Sequence, residues 1–324
     1  MAPSLGIQPC HARGETRLDR DQRIIGMTLA HDHHTQRLVG VEPPLDGFRP
    51  AAYTSRFVEA GGLRLHYLDY GTENRPPILC VHGGAAHAHW FDFFAPGFIA
   101  DYHVRAIDLR GHGDSQWMEP PAYTYPLYAS DLAEVVEKLA LREVILIGHS
   151  MGGMVSILFT AAHPERVRAL IVVDSSMRMT QDRVAVLRDV GSRPGSRYAT
   201  YEEFLQRYRL RPAGTTAAPE IIRHLAERSG RQLPDGYWTH KFDRHVYGQR
   251  EPIDSFPYWS RITVPTLLVK GGRSQRISPD LFAEVKARCP RAELAEVPHS
   301  DHHVFLDNPP GFEQVVKAFL TRLP

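Results

Sequence analysis

Short apolar runs recur along this chain, and longer stretches of helical period separate them. Residues 78–81, 144–147, 169–173 and 266–269 are such runs, apolar on both faces as a strand covered on both sides must be. Residues 104–107 and 294–297 extend the set. Upstream, residues 56–59 and 63–70 alternate as two strands do, with Gly61-Gly62 as the turn between them. The intervening stretches predict helices near residues 90–99, from Ser130 to about 140, and over 151–162, 279–288 and 310–323. Ser130 supplies a cap, Glu134 and Lys138 stand four apart on a helix surface, and His163-Pro164 stops the helix before it.

Continuous apolar strands alternating with helices imply an α/β fold, a parallel sheet covered by helices on both faces. Residues 176–262 break the alternation. They offer no core strand, but Thr200 with Glu203 forms a capping box, and Pro219 opens a segment that ends at Gly230. This predicts a helical cap over 176–262, inserted into a core built from 53–175 and 263–324. Residues 1–52 are rich in Pro, Gly, Arg and His without a sustained period, which predicts a flexible leader. Met27 is an alternative start that would leave residues 1–26 outside the native protein. The cluster His31, Asp32, His33 and His34 reads as chance composition before it reads as a metal tract.

At 324 residues and 43% hydrophobic, the chain can bury one large core. A net charge of +1, scattered along the chain, points to no nucleic-acid partner. No apolar run approaches the roughly 18 residues of a membrane span, and the N-terminus lacks a signal-peptide core of about 7–15 apolar residues. The expected location is therefore cytoplasmic. Cys10, Cys80 and Cys289 are too few and too widely spaced for a disulfide framework, and Cys80 reads as a buried, inert thiol. Nothing in the sequence sets an oligomeric state.

The segment VILIGHSMGGM reads strand, turn, helix. Within it, Gly148-His149-Ser150-Met151-Gly152 matches G-x-S-x-G, the strained turn that exposes a nucleophilic serine at the end of a strand. The helix that follows aims its dipole and the Met151 N–H at developing negative charge. Cys80-Val81-His82-Gly83-Gly84 ends an earlier strand, and the motif asks this loop for a second backbone donor. Gly84 is assigned that role, which makes Gly84 and Met151 the expected oxyanion hole. His82 reads as a brace for the loop. His87 and His89 are candidates for the pocket wall, with packing roles as good an account.

Taken together, HGG at 82–84, DLRGHGDS at 108–115, GHSMGG at 148–153 and a late histidine followed by DNP resemble the α/β-hydrolase fold superfamily. The likeness covers about residues 55–323, the cap being the variable part. It implies a mainly structural role for Asp108, Arg110, His112 and Asp114. It also implies a catalytic histidine counted back from Asn308-Pro309, which selects His302 over His299 and His303. The usual acid position, in the loop at 271–276, carries Ser274 and no carboxylate. Some members place the acid one strand earlier, and Asp174 stands there at the carboxyl end of 169–173; a helix-capping Asp is the other reading.

Ser150, His302 and Asp174 thus form a candidate set for acyl transfer through an acyl-enzyme. The resemblance implies a serine hydrolase acting on a small, largely apolar carboxylic ester. Serine at the nucleophile position argues against the superfamily's dehalogenases and epoxide hydrolases, which use Asp. A carbon–carbon bond hydrolase acting on a diketone and a low-turnover ligand receptor are the alternatives. No dinucleotide fingerprint follows a strand, and no cofactor or metal is expected. The cap's aromatic residues, Tyr198, Phe204 and Trp238 among them, are expected to pack it and line a pocket. Its arginines, such as Arg178, Arg183, Arg193 and Arg197, read as solvated. One cap arginine pairing with a substrate carboxylate stays open, and the sequence does not select it.

Overall fold

The structure, a computed structural model, describes residues 35–37, 49–71 and 73–323. Most of the leader, including His31–His34 and Cys10, lies outside the described residues. Strand β1 is Thr35–Arg37, followed by β2 (Thr54–Ala60), β3 (Leu63–Asp69), β4 (Pro77–Val81) and β5 (His103–Ile107). Helix α1 (Tyr125–Lys138) precedes β6 (Val144–His149), α2 (Met151–Ala162) and β7 (Val167–Val173). The inserted stretch holds β8 (Arg178–Met179), α3 (Gln181–Ser192), α4 (Tyr201–Arg207), α5 (Pro219–Ser229), β9 (Gly230–Gln232), β10 (Trp238–His240), α6 (His245–Gly248), β11 (Ile253–Asp254) and α7 (Phe256–Trp259). The chain closes with β12 (Thr266–Gly271), α8 (Pro279–Arg288), β13 (Ala292–Val297), α9 (Val304–Asp307) and α10 (Pro309–Leu320).

One sheet runs in the order β1-β13-β12-β7-β6-β4-β5-β3-β2. It is parallel from β1 to β5, and β3 and β2 add an antiparallel hairpin at the edge. Alternation along each strand feeds two apolar layers. Leu79, Val81 and Leu146 pack into one face; Ile78, Cys80, Ile145 and Ile147 pack into the other. Among the described residues no helix is long and apolar enough to cross a membrane.

Three local expectations are corrected. Thr35–Arg37, within the stretch read as an unstructured leader, pairs in parallel with β13. Helix α1 begins at Tyr125, with Thr124 at its N-cap and Pro126 in its first turn, where proline's missing N–H leaves nothing unsatisfied; Ser130 is an exposed mid-helix residue. The expected helix near 90–99 is two 3₁₀ turns, Ala88–Phe91 and Ala95–Gly97, because Pro96 cannot continue an α-helix begun upstream. The inserted stretch also carries two small antiparallel ribbons, β8 with β11 and β9 with β10, neither joined to the main sheet.

The insertion is fastened to the core by a buried carboxylate. Asp92 accepts from Tyr70 Oη at 2.7 Å, His89 Nδ1 at 2.9 Å and His224 Nε2 of α5 at 2.7 Å. Burial alone would raise its pKa; the hydrogen bonds from His224 and His89 outweigh burial and hold it below the usual carboxylate range. Its stabilisation is therefore present above the unfolded-state pKa of about 4 and is lost as pH falls through the lower folded value. Asp92→Ala strips the buried Tyr70 and His89 and the half-buried His224 of their acceptor and is expected to cost about 3 kcal/mol. Urea midpoints at neutral pH check this, and an unchanged midpoint would remove the fastening role.

Candidate active site

Five of the seven parallel strands, β4, β6, β7, β12 and β13, lead at their carboxyl ends into the candidate site residues, on one edge of the sheet, where ligand sites of open α/β folds form. Ser150 sits between β6 and α2 with φ 53° and ψ −113°, a region that L-residues rarely occupy. The flanking glycines explain how so sharp a turn fits. A Cβ on Gly148 would come within 2.4 Å of the Gly152 carbonyl oxygen and of Ser156 Oγ. A Cβ on Gly152 would fall 2.3 Å from the carbonyl oxygen of Val81, at the end of β4. The Ser150 N–H donates to Val173 O at 2.9 Å, and Ser175 Oγ donates to Ser150 O at 2.7 Å.

His302 lies in the loop after β13, held at three atoms. Its Nδ1 is 2.7 Å from Asp174 Oδ2. Its backbone N–H donates to Asp301 Oδ1 at 2.9 Å, and its carbonyl accepts from His149 Nε2 at 3.0 Å. Ser150 and His302 line the same cavity, so Nε2 is the ring nitrogen left to serve the serine. Burial lowers the His302 pKa, and the nearby Arg276 adds to this, so the imidazole is neutral at pH 7, as a base must be.

Asp174 follows β7 with φ 43° and is fully buried. Its N–H donates to Val269 O at 2.8 Å. Burial raises its carboxyl above the ordinary range, against the pull of Ser274 and Arg276. Ser274, which occupies the loop position that lacked a carboxylate, donates its hydroxyl to Asp174 Oδ2 at 2.8 Å. Arg276 Nε stands 3.5 Å from the same oxygen. The structure thus brings Ser150, His302 and Asp174 to one place and gives Ser274 a supporting part that sequence reasoning missed.

The competitors are placed elsewhere. Asp280 is exposed in the first turn of α8, and Asp301 is engaged by the His302 backbone. His299 is exposed, and His303 reaches the Pro212 carbonyl from its Nε2. His82 accepts the Leu109 N–H on Nε2, so its Nδ1 carries the proton and donates to the Gly83 carbonyl at 2.7 Å, which is the bracing expected of it. His87 pairs with Ser229 of the inserted stretch, and His89 with Asp92. Asp108 is buried and accepts from His66 Nδ1 and the Ala88 and Asp114 N–H groups, while Arg110 grips Asp131 and His112 bonds the Arg110 carbonyl. Cys80 is buried in β4, and burial pushes its thiol up.

Gly84 and Met151, the expected oxyanion donors, both line the cavity. Gly83 packs on Ser150, and Gly84 faces Met151 and Arg250. The nearest approach to a metal donor set here is His149, His302 and His303, whose nitrogens come within 4.8 Å of one another. One nitrogen of each ring is already engaged, by His302 O, Asp174 and Pro212 O respectively, which describes a network that orients a loop.

The cavity measures about 240 Å³. Trp90, Met154, Met179 and Leu187 give it apolar walls, while Arg183, Arg211, Arg250 and Arg276 also reach it. That is more basic than a largely apolar substrate calls for. Arg276 carries no sequence signal beyond following Ser274, and Arg250 carries none at all.

The sequence pattern of the alpha/beta hydrolase fold matches residues 76–309. A "Serine hydrolase-like protein" of Danio rerio is 28% identical over 274 residues, covering 78% of this chain and 83% of that protein. A pimeloyl-[acyl-carrier protein] methyl ester esterase of Neisseria meningitidis is 27% identical over 253 residues, covering 75% and 92%. The crystal structure of E-2-(acetamidomethylene)succinate hydrolase superposes with a TM-score of 0.72 at 24% identity, covering 83% of this chain and all of that one.

Proposed function

The chain belongs to the alpha/beta hydrolase fold family, and from that premise we propose that it is a serine hydrolase cleaving carboxylic esters through an acyl-enzyme. A single arrangement carries this: Ser150 and His302 share one cavity, and buried Asp174 holds the far nitrogen of the His302 ring. Esterases among the similar proteins support ester chemistry for this chain as well.

Ser150 Oγ attacks the ester carbonyl carbon while His302 Nε2 takes its proton, and the carbonyl electron pair moves onto oxygen. The N–H groups of Met151 and Gly84 receive that oxyanion, with the N-terminus of α2 adding its dipole. Asp174 keeps the proton of the resting ring on Nδ1 and stabilises the imidazolium. Collapse of the intermediate expels the alkoxide, which leaves as the alcohol with the proton from Nε2. Water then repeats the sequence on the acyl-enzyme, giving the free acid and restoring Ser150.

The test is turnover of p-nitrophenyl esters of graded acyl length beside a diketone substrate. Ester hydrolysis with a burst of p-nitrophenol is expected. Cleavage of the diketone with inert esters would replace ester hydrolysis by carbon–carbon bond hydrolysis, and a burst without turnover would favour a receptor.

A further inference from the structure

Two arginines among the described residues are almost wholly buried, each 4% exposed: Arg110 and Arg250. Arg110 shows how this fold neutralises such a charge. Its Nε and Nη2 each meet one oxygen of Asp131 at 2.5 Å. Arg250 has no carboxylate partner among the described residues. Its Nε donates to Val246 O at 2.9 Å and its Nη1 to Tyr125 Oη at 2.8 Å, both neutral acceptors. Its Nη2 meets only the Met151 thioether sulfur, 2.6 Å away, one of the weakest acceptors a protein offers. A guanidinium withdrawn from water without a counter-charge is costly, and an anion supplied by a ligand removes that cost.

The position of Arg250 says where that anion sits. It lines the cavity that holds Ser150 and His302, touching the side chain of Met151, the residue after Ser150. A Cβ on Gly84 would fall 2.9 Å from its Nη2, so the guanidinium lies beside both residues assigned to the oxyanion hole. The rest of the cavity has the same sign. Arg276 is half-buried in its wall, Arg183 and Arg211 are exposed where they reach it, and no Asp or Glu among the described residues lines it. Such a field concentrates anions at the mouth, and inside it the Arg250 guanidinium has neutral acceptors but no carboxylate partner among the described residues.

We propose that Arg250 binds a free carboxylate on the substrate close to the scissile carbonyl, so that the esters this protein cleaves are half-esters of short dicarboxylic acids. This rests on the hydrolase reading above, and it makes Arg250 a specificity-determining residue. A planar carboxylate fits the fork, and a cavity of about 240 Å³ suits a short chain.

Monoethyl glutarate and ethyl pentanoate differ by a carboxylate in place of a methyl group, and kcat/KM for the pair tests the proposal. The wild-type protein is expected to favour the glutarate by at least about 10-fold. Arg250→Met is expected to lower that ratio roughly 10- to 100-fold, mainly through KM. Arg250→Lys, which keeps the charge without the fork, should fall between. Calorimetry of glutarate with Ser150→Ala supplies a reading independent of turnover and of whether Arg250→Met folds: binding is expected, weakening as salt rises. Equal loss on both esters in Arg250→Met would make the residue an oxyanion stabiliser and overturn the proposal. So would a wild-type preference for ethyl pentanoate, or no glutarate binding. Glutarate binding to a protein that hydrolyses no ester would uphold the anion site and sink the hydrolase reading instead.

Discussion

Ser150→Ala is expected to give a folded protein that a fluorophosphonate probe no longer labels and whose kcat is lower by about 10⁶-fold. The size follows from what the hydroxyl does. It is the atom that forms the covalent bond, so its removal ends the acyl-enzyme route and leaves only polarisation by the backbone donors. Folding should survive, because alanine keeps the Cβ that the turn already accommodates at φ 53°. The close contacts that permit the turn belong to Gly148 and Gly152, which the substitution leaves alone. Mass spectrometry of the wild-type protein should find one adduct, on Ser150. An adduct on another serine, or normal turnover in the alanine variant, would take the nucleophile away from Ser150.

Asp174→Asn is expected to lower turnover by about 10⁴-fold while the protein still folds. The carboxylate accepts from His302 Nδ1, which keeps the other ring nitrogen free to take the serine proton. An amide at the same place can present its N–H to Nδ1, driving the ring proton onto Nε2, the wrong tautomer for a base. It also offers no charge to stabilise the imidazolium. Ser274 and Arg276 would remain beside the amide and recover part of the loss. Asp280→Asn and Asp301→Asn are the controls, one exposed on α8 and the other holding the His302 backbone. Near-normal turnover in Asp174→Asn beside a crippled control would reassign the acid.

Much of this site was legible because its parts are local. The apolar runs at 78–81, 144–147, 169–173 and 266–269 read as strands on period alone, and the motif at 148–152 marks a turn whose first glycine is demanded by a contact four residues on, while its second is demanded by the close approach of Val81 in β4. Asp174 could be placed because a strand end defines an edge of the sheet. The start of α1 was misplaced since Thr124-Tyr125-Pro126 and Ser130 both offer helix-start signals, and packing of Tyr125 and Tyr128 into the core favoured the earlier one. The helix expected near residue 90 failed where Pro96 interrupts it.

What the sequence determined by itself was the alternation of strand and helix and the strand-turn-helix around Ser150, because each depends on neighbours close along the chain; the candidate histidine, His302, came from the family resemblance. What only the tertiary structure decided were the partnerships between elements far apart in the chain: Asp92 with His224 across 132 positions, Ser274 with Asp174 across 100, and Arg250 against Met151 across 99. An arginine reads the same in any sequence, whether solvated or buried. Its meaning here comes from the inserted stretch folding over the edge of the sheet, which withdraws the guanidinium from water and leaves it without a carboxylate partner among the described residues.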